Sequence, residues 1–187
     1  YQLHSTGKIW VSTGTACTGA SCPGWIMLDN NSNTQQIAAG GGNALYQRHV
    51  DGKIWRYTGT ACSGMSCPGW QMLDNNPATS SITAAGTFLY QLHNDKRIWV
   101  STGSPCAGAA CPGWLMLDNN PNTRGIAAAG NFLFQRHFDG KIWQYTAPPC
   151  SGASCPGWQM YDNNPHSVAI VAGGSFLYQL HNDSKIW

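Results

Sequence analysis

The chain has 187 residues, enough for one substantial hydrophobic core, and its formal net charge is +2. Only 10% of the residues are charged and they form no basic stripe, so we do not expect nucleic acid as a partner. The apolar runs are shorter than a membrane span, and the chain begins inside a repeat without a charged-then-apolar leader. We therefore expect a mature, soluble protein or a piece of one, with no membrane insertion.

A motif of about 44 residues occurs four times and begins a fifth time. Its first aromatic residue falls at Tyr1, Tyr46, Tyr90, Phe134 and Tyr178, which gives steps of 45, 44, 44 and 44 residues. We predict one domain over residues 1–187, divided into repeats at about 1–44, 45–88, 89–132 and 133–176 with a partial repeat at 177–187. A fixed period of this length indicates a propeller or a solenoid.

Each repeat shows four short strand patterns and no helical spacing of apolar residues. In the second repeat we predict strands at Leu45–His49, Ile54–Thr58, Trp70–Leu73 and Ile82–Ala85. Asp51-Gly52 is a strong hairpin signal between the first two strands, because glycine adopts a positive φ without a steric penalty. One repeat should therefore form one four-stranded antiparallel unit.

This pattern predicts an all-β fold, a β-propeller of four-stranded antiparallel blades. Within a blade we name strand A (Ile-Ala-Ala-Gly, innermost), B (Leu-Tyr-Gln-x-His), C (Lys-Ile-Trp) and D (Trp-x-Met-Leu, outermost). The chain begins at a B strand and ends at a C strand, so five blades, the first without A and the last without D, use every strand. A ring of four blades is also possible, but it would leave the last hairpin without a place in a blade. The alternation of Gln-Leu-His with Gln-Arg-His in successive repeats instead favours an even number of blades, such as six.

The eight cysteines form one close pair in each complete repeat. Spacing of four residues within each pair, without a second pair or a histidine at zinc-like spacing, favours local disulfides over metal binding. Regular pairing indicates an oxidising compartment, so we expect a secreted, extracellular protein. The expected disulfides are Cys17–Cys22, Cys62–Cys67, Cys106–Cys111 and Cys150–Cys155.

Blade geometry assigns the loops to two faces. The B-to-C turn and the D-to-A crossing should share one face, and the A-to-B turn and the cysteine-containing C-to-D loop should lie on the other. The first face gathers a histidine, an Asp-Asn-Asn triplet and the tryptophan of Lys-Ile-Trp, which together offer hydrogen-bonding groups beside an aromatic surface. The candidate carbohydrate-binding residues are Asp29, Asn30, Asn31, His49, Trp55, Asp74, Asn75, Asn76, His93, Trp99, Asp118, Asn119, Asn120, His137, Trp143, Asp162, Asn163 and Asn164.

Each of these residues also has a purely structural interpretation. Asp and Asn in turns often bind their own backbone, the histidines could cap the hairpins, and both kinds of tryptophan could pack between blades. Packing between blades is the favoured interpretation for both kinds of tryptophan, and more so for the one that follows Pro-Gly.

The order Gly-Lys-Ile-Trp-x-Tyr-Thr-Gly, Gly-Trp-x-Met-Leu and Ile-Ala-Ala-Gly-x-x-x-Leu-Tyr-Gln-x-His resembles the tectonin repeat and, more distantly, the blades of tachylectin, over the whole chain. The resemblance implies a β-propeller lectin of secreted or innate-defence type. Such a lectin would bind N-acetylated or O-methylated sugars of microbial surfaces at or between blades. The cysteine pair is an addition to the tectonin pattern.

The functional hypothesis is a multivalent lectin that binds glycans or glycoconjugates through repeated shallow sites, because avidity makes weak sites useful. An oligomer is compatible with it, and no cofactor or metal is expected. The alternatives are a non-catalytic targeting module and a protein-binding platform patterned by Leu3, Arg48, Leu92 and Arg136. We do not expect an enzyme, because propeller glycosidases need two carboxylates in different settings and here every Asp recurs with its surroundings.

Overall fold

The computed structural model describes all 187 residues, and every regular element in it is a β-strand. It contains no helix that is long and apolar enough to cross a membrane. Blade 1 consists of β1 (Gln2–Leu3), β2 (Ile9–Ser12) and β3 (Trp25–Asp29). Blade 2 consists of β4 (Thr34–Ala39), β5 (Leu45–His49), β6 (Ile54–Tyr57) and β7 (Trp70–Asp74). Blade 3 consists of β8 (Thr79–Ala85), β9 (Phe88–His93), β10 (Ile98–Ser101) and β11 (Trp114–Asp118). Blade 4 consists of β12 (Thr123–Ala129), β13 (Phe132–His137), β14 (Ile142–Tyr145) and β15 (Trp158–Asp162), and blade 5 of β16 (Ser167–Gly173) and β17 (Phe176–His181).

Each blade is a meander whose strands pair in chain order, always antiparallel. The predicted strands of the second repeat are confirmed within a few residues at each end, and Leu45–His49 is reproduced without change. The prediction that these four strands form one sheet is wrong, because the fourth, β8, pairs with β9 in blade 3. The Asp51-Gly52 hairpin is also confirmed. Gly52 has a φ of 84°, and a Cβ built there would lie 2.4 Å from the carbonyl oxygen of Asn76. A larger residue would therefore clash with the neighbouring D-to-A crossing.

The arrangement of sheets follows the five-blade prediction. Blade 1 has three strands and lacks A, and blades 2 to 4 have four strands each. Blade 5 has strands A and B, and its last residues follow a C-strand path, because Gln179 and Trp187 exchange two backbone hydrogen bonds of 2.9 Å. The ring of four with a surplus hairpin is not seen, since β16 pairs with β17 and not with β1.

The A strands of blades 2 to 5 lie side by side in blade order and line a cavity of about 330 Å³. It is lined mostly by Ala and Ile side chains, including Ile37, Ile82, Ile126 and Ile170. Small residues suit this position because neighbouring backbones approach closely around the axis. The innermost strands thus form the hub of the fold.

The core consists of successive layers between neighbouring blades. Between blades 3 and 4, Tyr90, Leu92 and Ile98 pack against Ala128 and Leu133. The Ile of each Lys-Ile-Trp segment is completely buried where another blade follows, with 0% exposure for Ile9, Ile54, Ile98 and Ile142. In blade 5 the equivalent Ile186 is 73% exposed. The same side chain is therefore a core residue or a surface residue according to whether a following blade covers it.

This difference predicts the stability effects of two identical substitutions. Ile98→Ala leaves a cavity between blades 3 and 4 and should lower the free energy of unfolding by about 2–5 kcal/mol. Ile186→Ala, which removes the same atoms from an exposed position, should change it by no more than about 0.5 kcal/mol. Equilibrium urea denaturation followed by tryptophan fluorescence measures both. Equal losses would contradict the blade-to-blade assignment of the core.

Candidate functional site

All four cysteine pairs form disulfides, as predicted, and no cysteine remains free. Their predicted placement on the opposite face is wrong. In blade 3 the loop from 102 to 113 folds across the flank of blade 2, where the N–H of Cys106 donates to the carbonyl of Met72 at 3.0 Å. Its tip reaches the D-to-A crossing, where the amide of Asn75 donates to the carbonyl of Ala109 at 2.9 Å. The loop takes this path because the outer strand of blade 2 is an edge with unpaired carbonyl groups.

The tryptophan after Pro-Gly satisfies a second carbonyl of the same edge. The pairing of β6 with β7 contains a bulge, because Ile54 pairs with Asp74 and Trp55 with Met72, which leaves Leu73 as the extra residue. The indole N–H of Trp114 donates to the carbonyl of Leu73 at 3.1 Å. The same contact recurs from Trp70 to Leu28 and from Trp158 to Leu117. The predicted role of these tryptophans in packing between blades is confirmed.

A cleft of about 320 Å³ opens at this junction between blades 2 and 3. Blade 2 contributes Asp74 and Asn76, from the end of its outer strand and the crossing that follows. Blade 3 contributes the rest: a B strand, a C-strand tryptophan, the end of the cysteine loop and the Pro-Gly-Trp tryptophan. Its lining is Asp74, Asn76, Gln91, His93, Trp99, Cys111, Pro112 and Trp114.

A buried chain of polar side chains supports the floor of the cleft. The hydroxyl of Thr79 donates to Oε1 of Gln91 at 2.6 Å, and Nε2 of Gln91 donates to Oδ2 of Asp74 at 2.9 Å. Gln91 is only 1% exposed. Buried polar groups in low dielectric hold their partners firmly when every group is satisfied. Gln91 therefore fixes the carboxylate of one blade against a strand of the next.

The sequence analysis missed this glutamine. A Gln recurs in the middle of every complete B strand, as Gln47, Gln91, Gln135 and Gln179, and the first three are almost completely buried. A polar residue repeated at the centre of an otherwise apolar strand was the available signal. Its partner across the blade junction could not be read from the sequence.

The histidine and the C-strand tryptophan lie side by side in the cleft. The ring centroids of His93 and Trp99 are 5.8 Å apart, and the same pair recurs at similar distances in every blade. Nε2 of His93 and Nε1 of Trp99 are buried and have no hydrogen-bond partner in the chain. His137 and Trp143 repeat this situation. An unpaired buried donor or acceptor costs about 1–3 kcal/mol.

The three residues of the Asp-Asn-Asn triplet have different roles. Asp74 meets Gln91, as described above. The second residue, Asn75, ties down the cysteine loop, as do Asn30 and Asn119 in their repeats, so these three point away from the cleft lining. The third, Asn76, accepts the N–H of Ala78 at 2.9 Å through Oδ1 and lines the cleft. Its turn-forming role and its place in the cleft coexist, because the turn uses only the oxygen.

Three junctions contain an Asp and an Asn from one blade together with a His and a Trp from the next. The three sets are Asp29, Asn31, His49 and Trp55; Asp74, Asn76, His93 and Trp99; and Asp118, Asn120, His137 and Trp143. At the fourth junction Asp162 still accepts from Gln179 at 3.0 Å, and Asn164 approaches His181 at 3.5 Å. Blade 5 has no D strand and no cysteine loop there, so Asn163 has no loop to hold and the cleft lacks one wall.

The predicted Leu/Arg surface pattern is wrong, because these residues lie between blades. Leu92 is 4% exposed and Arg48 is 8% exposed. The guanidinium of Arg48 donates to the side-chain oxygens of Gln35 and Gln36 and to the carbonyl of His49. The arginine is thus an internal polar substitute for the leucine of the neighbouring blade.

Comparisons with known proteins support the fold and leave the ligand open. No protein-family model matches the sequence, and no curated protein matches it. Among solved structures, the chain is similar to Prp20p from Saccharomyces cerevisiae, with a TM-score of 0.58 and 12% identity over 82% of this chain and 44% of that one. It is also similar to yeast RCC1 (Prp20) bound to Kap60, with a TM-score of 0.59 and 13% identity over 87% of this chain and 45% of that one. Human WBSCR16 matches with a TM-score of 0.56 and 13% identity over 82% of this chain and 46% of that one.

These similarities show a β-propeller-like fold of repeated four-stranded blades. The chain spans less than half the length of the structures it matches. At such low identity the likeness concerns the fold alone.

The cleft histidines should affect stability in a predictable direction with pH. Burial lowers the pKa of His49, His93 and His137 below the ordinary 6.5, and nearby aspartates offset this only in part. As the pH falls through 6.5, the unfolded chain binds protons that the folded chain does not, so stability is lost. The loss continues until the pH reaches the lowered pKa of the folded state.

NMR titration of the histidine ring protons should therefore give pKa values below 6.5 for all three residues. The free energy of unfolding, measured with urea, should decrease between pH 7.5 and pH 5.5. Replacement of His93 by Gln should reduce this decrease. A free energy of unfolding that rises on acidification over this range would contradict the prediction.

Proposed function

We propose that this chain is a non-catalytic binding propeller whose ligands are carbohydrates, held in the clefts between blades. The observation that carries the proposal is the threefold recurrence of one constellation: an aspartate and an asparagine from one blade facing a histidine and a tryptophan from the next. Hydroxyl-rich ligands need groups that both donate and accept hydrogen bonds, and the aromatic face offers a surface for the C–H side of a sugar ring. The cleft of about 320 Å³ is at the lower end of the range for small-ligand sites.

Because the tectonin resemblance points to sugars, we extend the proposal to a secreted, multivalent lectin for N-acetylated or O-methylated sugars. The four disulfides are consistent with an extracellular location.

A protein-binding propeller module is the second candidate, and the comparisons favour it over the lectin. One similar structure is described by the binding of Prp20p to Gsp1p and histones, and another shows yeast RCC1 bound to Kap60. These proteins share only the fold with the present chain, so their partners are not transferred to it. The same propeller framework nevertheless suits a protein ligand.

A glycan array at low and high surface density separates the two candidates. The lectin should bind one sugar class, and its retention should increase steeply with density because three clefts act together. No binding to any sugar on the array would overturn the lectin proposal and leave the protein-binding module.

A substitution that preserves the turn tests the cleft itself. Asn76→Asp keeps the side-chain oxygen that accepts the N–H of Ala78, but removes the amide donor and adds a negative charge beside Asp74. Loss of one ligand hydrogen bond should weaken binding at that cleft about tenfold. Isothermal titration calorimetry with the sugar identified on the array should show that the number of strong binding sites per chain decreases from three to two.

The matched control is Asn164→Asp in the incomplete fourth cleft. It makes the same chemical change in the same turn, and Asn164 Oδ1 accepts the N–H of His166 at 2.9 Å. The control should retain three strong sites. Equal effects of the two substitutions, or no effect of either, would exclude the complete clefts as the binding sites.

A further inference from the structure

A second cleft lies at the same junction of blades 2 and 3, beside the A-to-B turn and the start of the C-to-D loop. Its volume is about 280 Å³. It shares no residue with the cleft described above. The lining combines one cation, two aromatic rings and three hydroxyl side chains: Arg56, Tyr46, Phe88, Thr87, Ser101 and Thr102.

Arg56 has no negative partner in the protein. Its cross-strand neighbours are Tyr46 and Gln71, and Nη2 donates to Oε1 of Gln71 at 2.9 Å. The only ion pairs join the aspartates of the B-to-C turns in blades 2 to 5 to a Lys or Arg two residues later. The other four aspartates lie at the far ends of outer strands. The remaining N–H groups of Arg56 are therefore available to an anion from outside the chain.

The other groups of this cleft suit a hydroxylated ligand. Burial raises the pKa of the Tyr46 phenol, against an opposing effect of Arg56, so the phenol stays protonated and can donate. Oγ of Ser101 accepts the N–H of Gly103 at 3.1 Å, which leaves its proton to donate elsewhere. Phe88, 48% exposed, lines the cleft and offers an aromatic surface there.

This cation occurs at one junction only. The position after the C-strand tryptophan is Val11 in blade 1, Arg56 in blade 2, Val100 in blade 3 and Gln144 in blade 4. Whereas the polar clefts repeat the same chemistry, this cleft carries a feature specific to one blade. The framework also tolerates valine here, because two blades already have it.

We propose that this cleft binds an acidic sugar residue, with the carboxylate or sulfate group on Arg56 and the ring against Phe88. A guanidinium matches such oxyanions with two parallel hydrogen bonds, and these charge-assisted bonds are stronger than neutral ones. The hydroxyl side chains around the cleft then receive the hydroxyls of the sugar. This site is independent of the three repeated clefts and does not need them to be occupied.

The test is titration of the protein with glucuronate, glucose 6-sulfate and glucose, followed by NMR at low and high salt. The wild-type protein should bind both acidic sugars, more weakly as salt screens the charge, and should bind glucose far less well at this site. Arg56→Val, which copies the residue of blade 3, should weaken binding of the acidic sugars at least about tenfold. Preference between the two acidic probes identifies carboxylate or sulfate as the natural group.

Two controls separate the site from general charge and from the repeated clefts. Arg124→Ser also removes one positive charge, copies the residue of blade 3 at an exposed position, and should change glucuronate affinity less than about twofold. Asn76→Asp should leave glucuronate binding at Arg56 intact. Absence of acidic-sugar binding in the wild type, its retention in Arg56→Val, or an equal loss in Arg124→Ser would overturn the proposal.

Discussion

The outer strands of blades 1, 2 and 3 have a free β-edge, and the next blade in the chain covers it. Two hydrogen bonds do this at every complete junction: the N–H of a loop cysteine donates to a Met carbonyl, and a tryptophan indole donates to the carbonyl of the bulged leucine. Exposed edges pair with other chains, so they need covering. In blade 4, where no such loop follows, Met160 and Tyr161 of the outer strand are exposed.

The candidate polar clefts are a consequence of this edge closure. The cysteine loop and the Pro-Gly-Trp tryptophan must reach the preceding blade in order to cap its edge, and they form one wall of the cleft as they do so. At the junction of blades 2 and 3, Asp74 at the end of the capped strand forms the other wall, held by the buried Gln91. The number of complete clefts therefore equals the number of junctions with a capping loop, and this is smaller than the number of repeated motifs.

Much of the fold was predictable because the information is local and repeated. Strand patterns, the Asp51-Gly52 turn and the cysteine pairs each depend on neighbours within a few residues, and each was predicted correctly. The gathering of His93, Trp99, Asp74 and Asn76 on one face also followed from blade geometry. The path of the cysteine loop and the role of Gln91 did not, because both depend on contacts between strands of different blades.

The alternation of leucine and arginine in the B strands is a second case in which contacts between strands could not be predicted from the sequence. An arginine in a strand suggests a surface, yet Arg48 lies buried because Gln35, Gln36 and a backbone carbonyl satisfy its guanidinium. The compensating glutamines are found in blade 2 and are replaced by Ser80 and Ser81 in blade 3, where leucine stands in place of arginine. In blade 4 the corresponding positions are Arg124 and Gly125, and there Arg136 donates instead to the backbone carbonyls of His137 and Ser167. Internal acceptors therefore satisfy the arginine in both blades.

The two clefts at a blade junction differ in how many kinds of residue their positions accept. Asp74 and Gln91 of the polar cleft support each other across two blades, so a change in either one leaves a buried polar group unpaired. The position of Arg56 lies outside that network, with a neutral partner in Gln71. Valine, arginine and glutamine can each occupy it without disturbing the blade. A repeat protein of this kind can therefore carry the same binding residues in the polar cleft of several junctions. The residues of the second cleft, in contrast, can differ from one blade to the next.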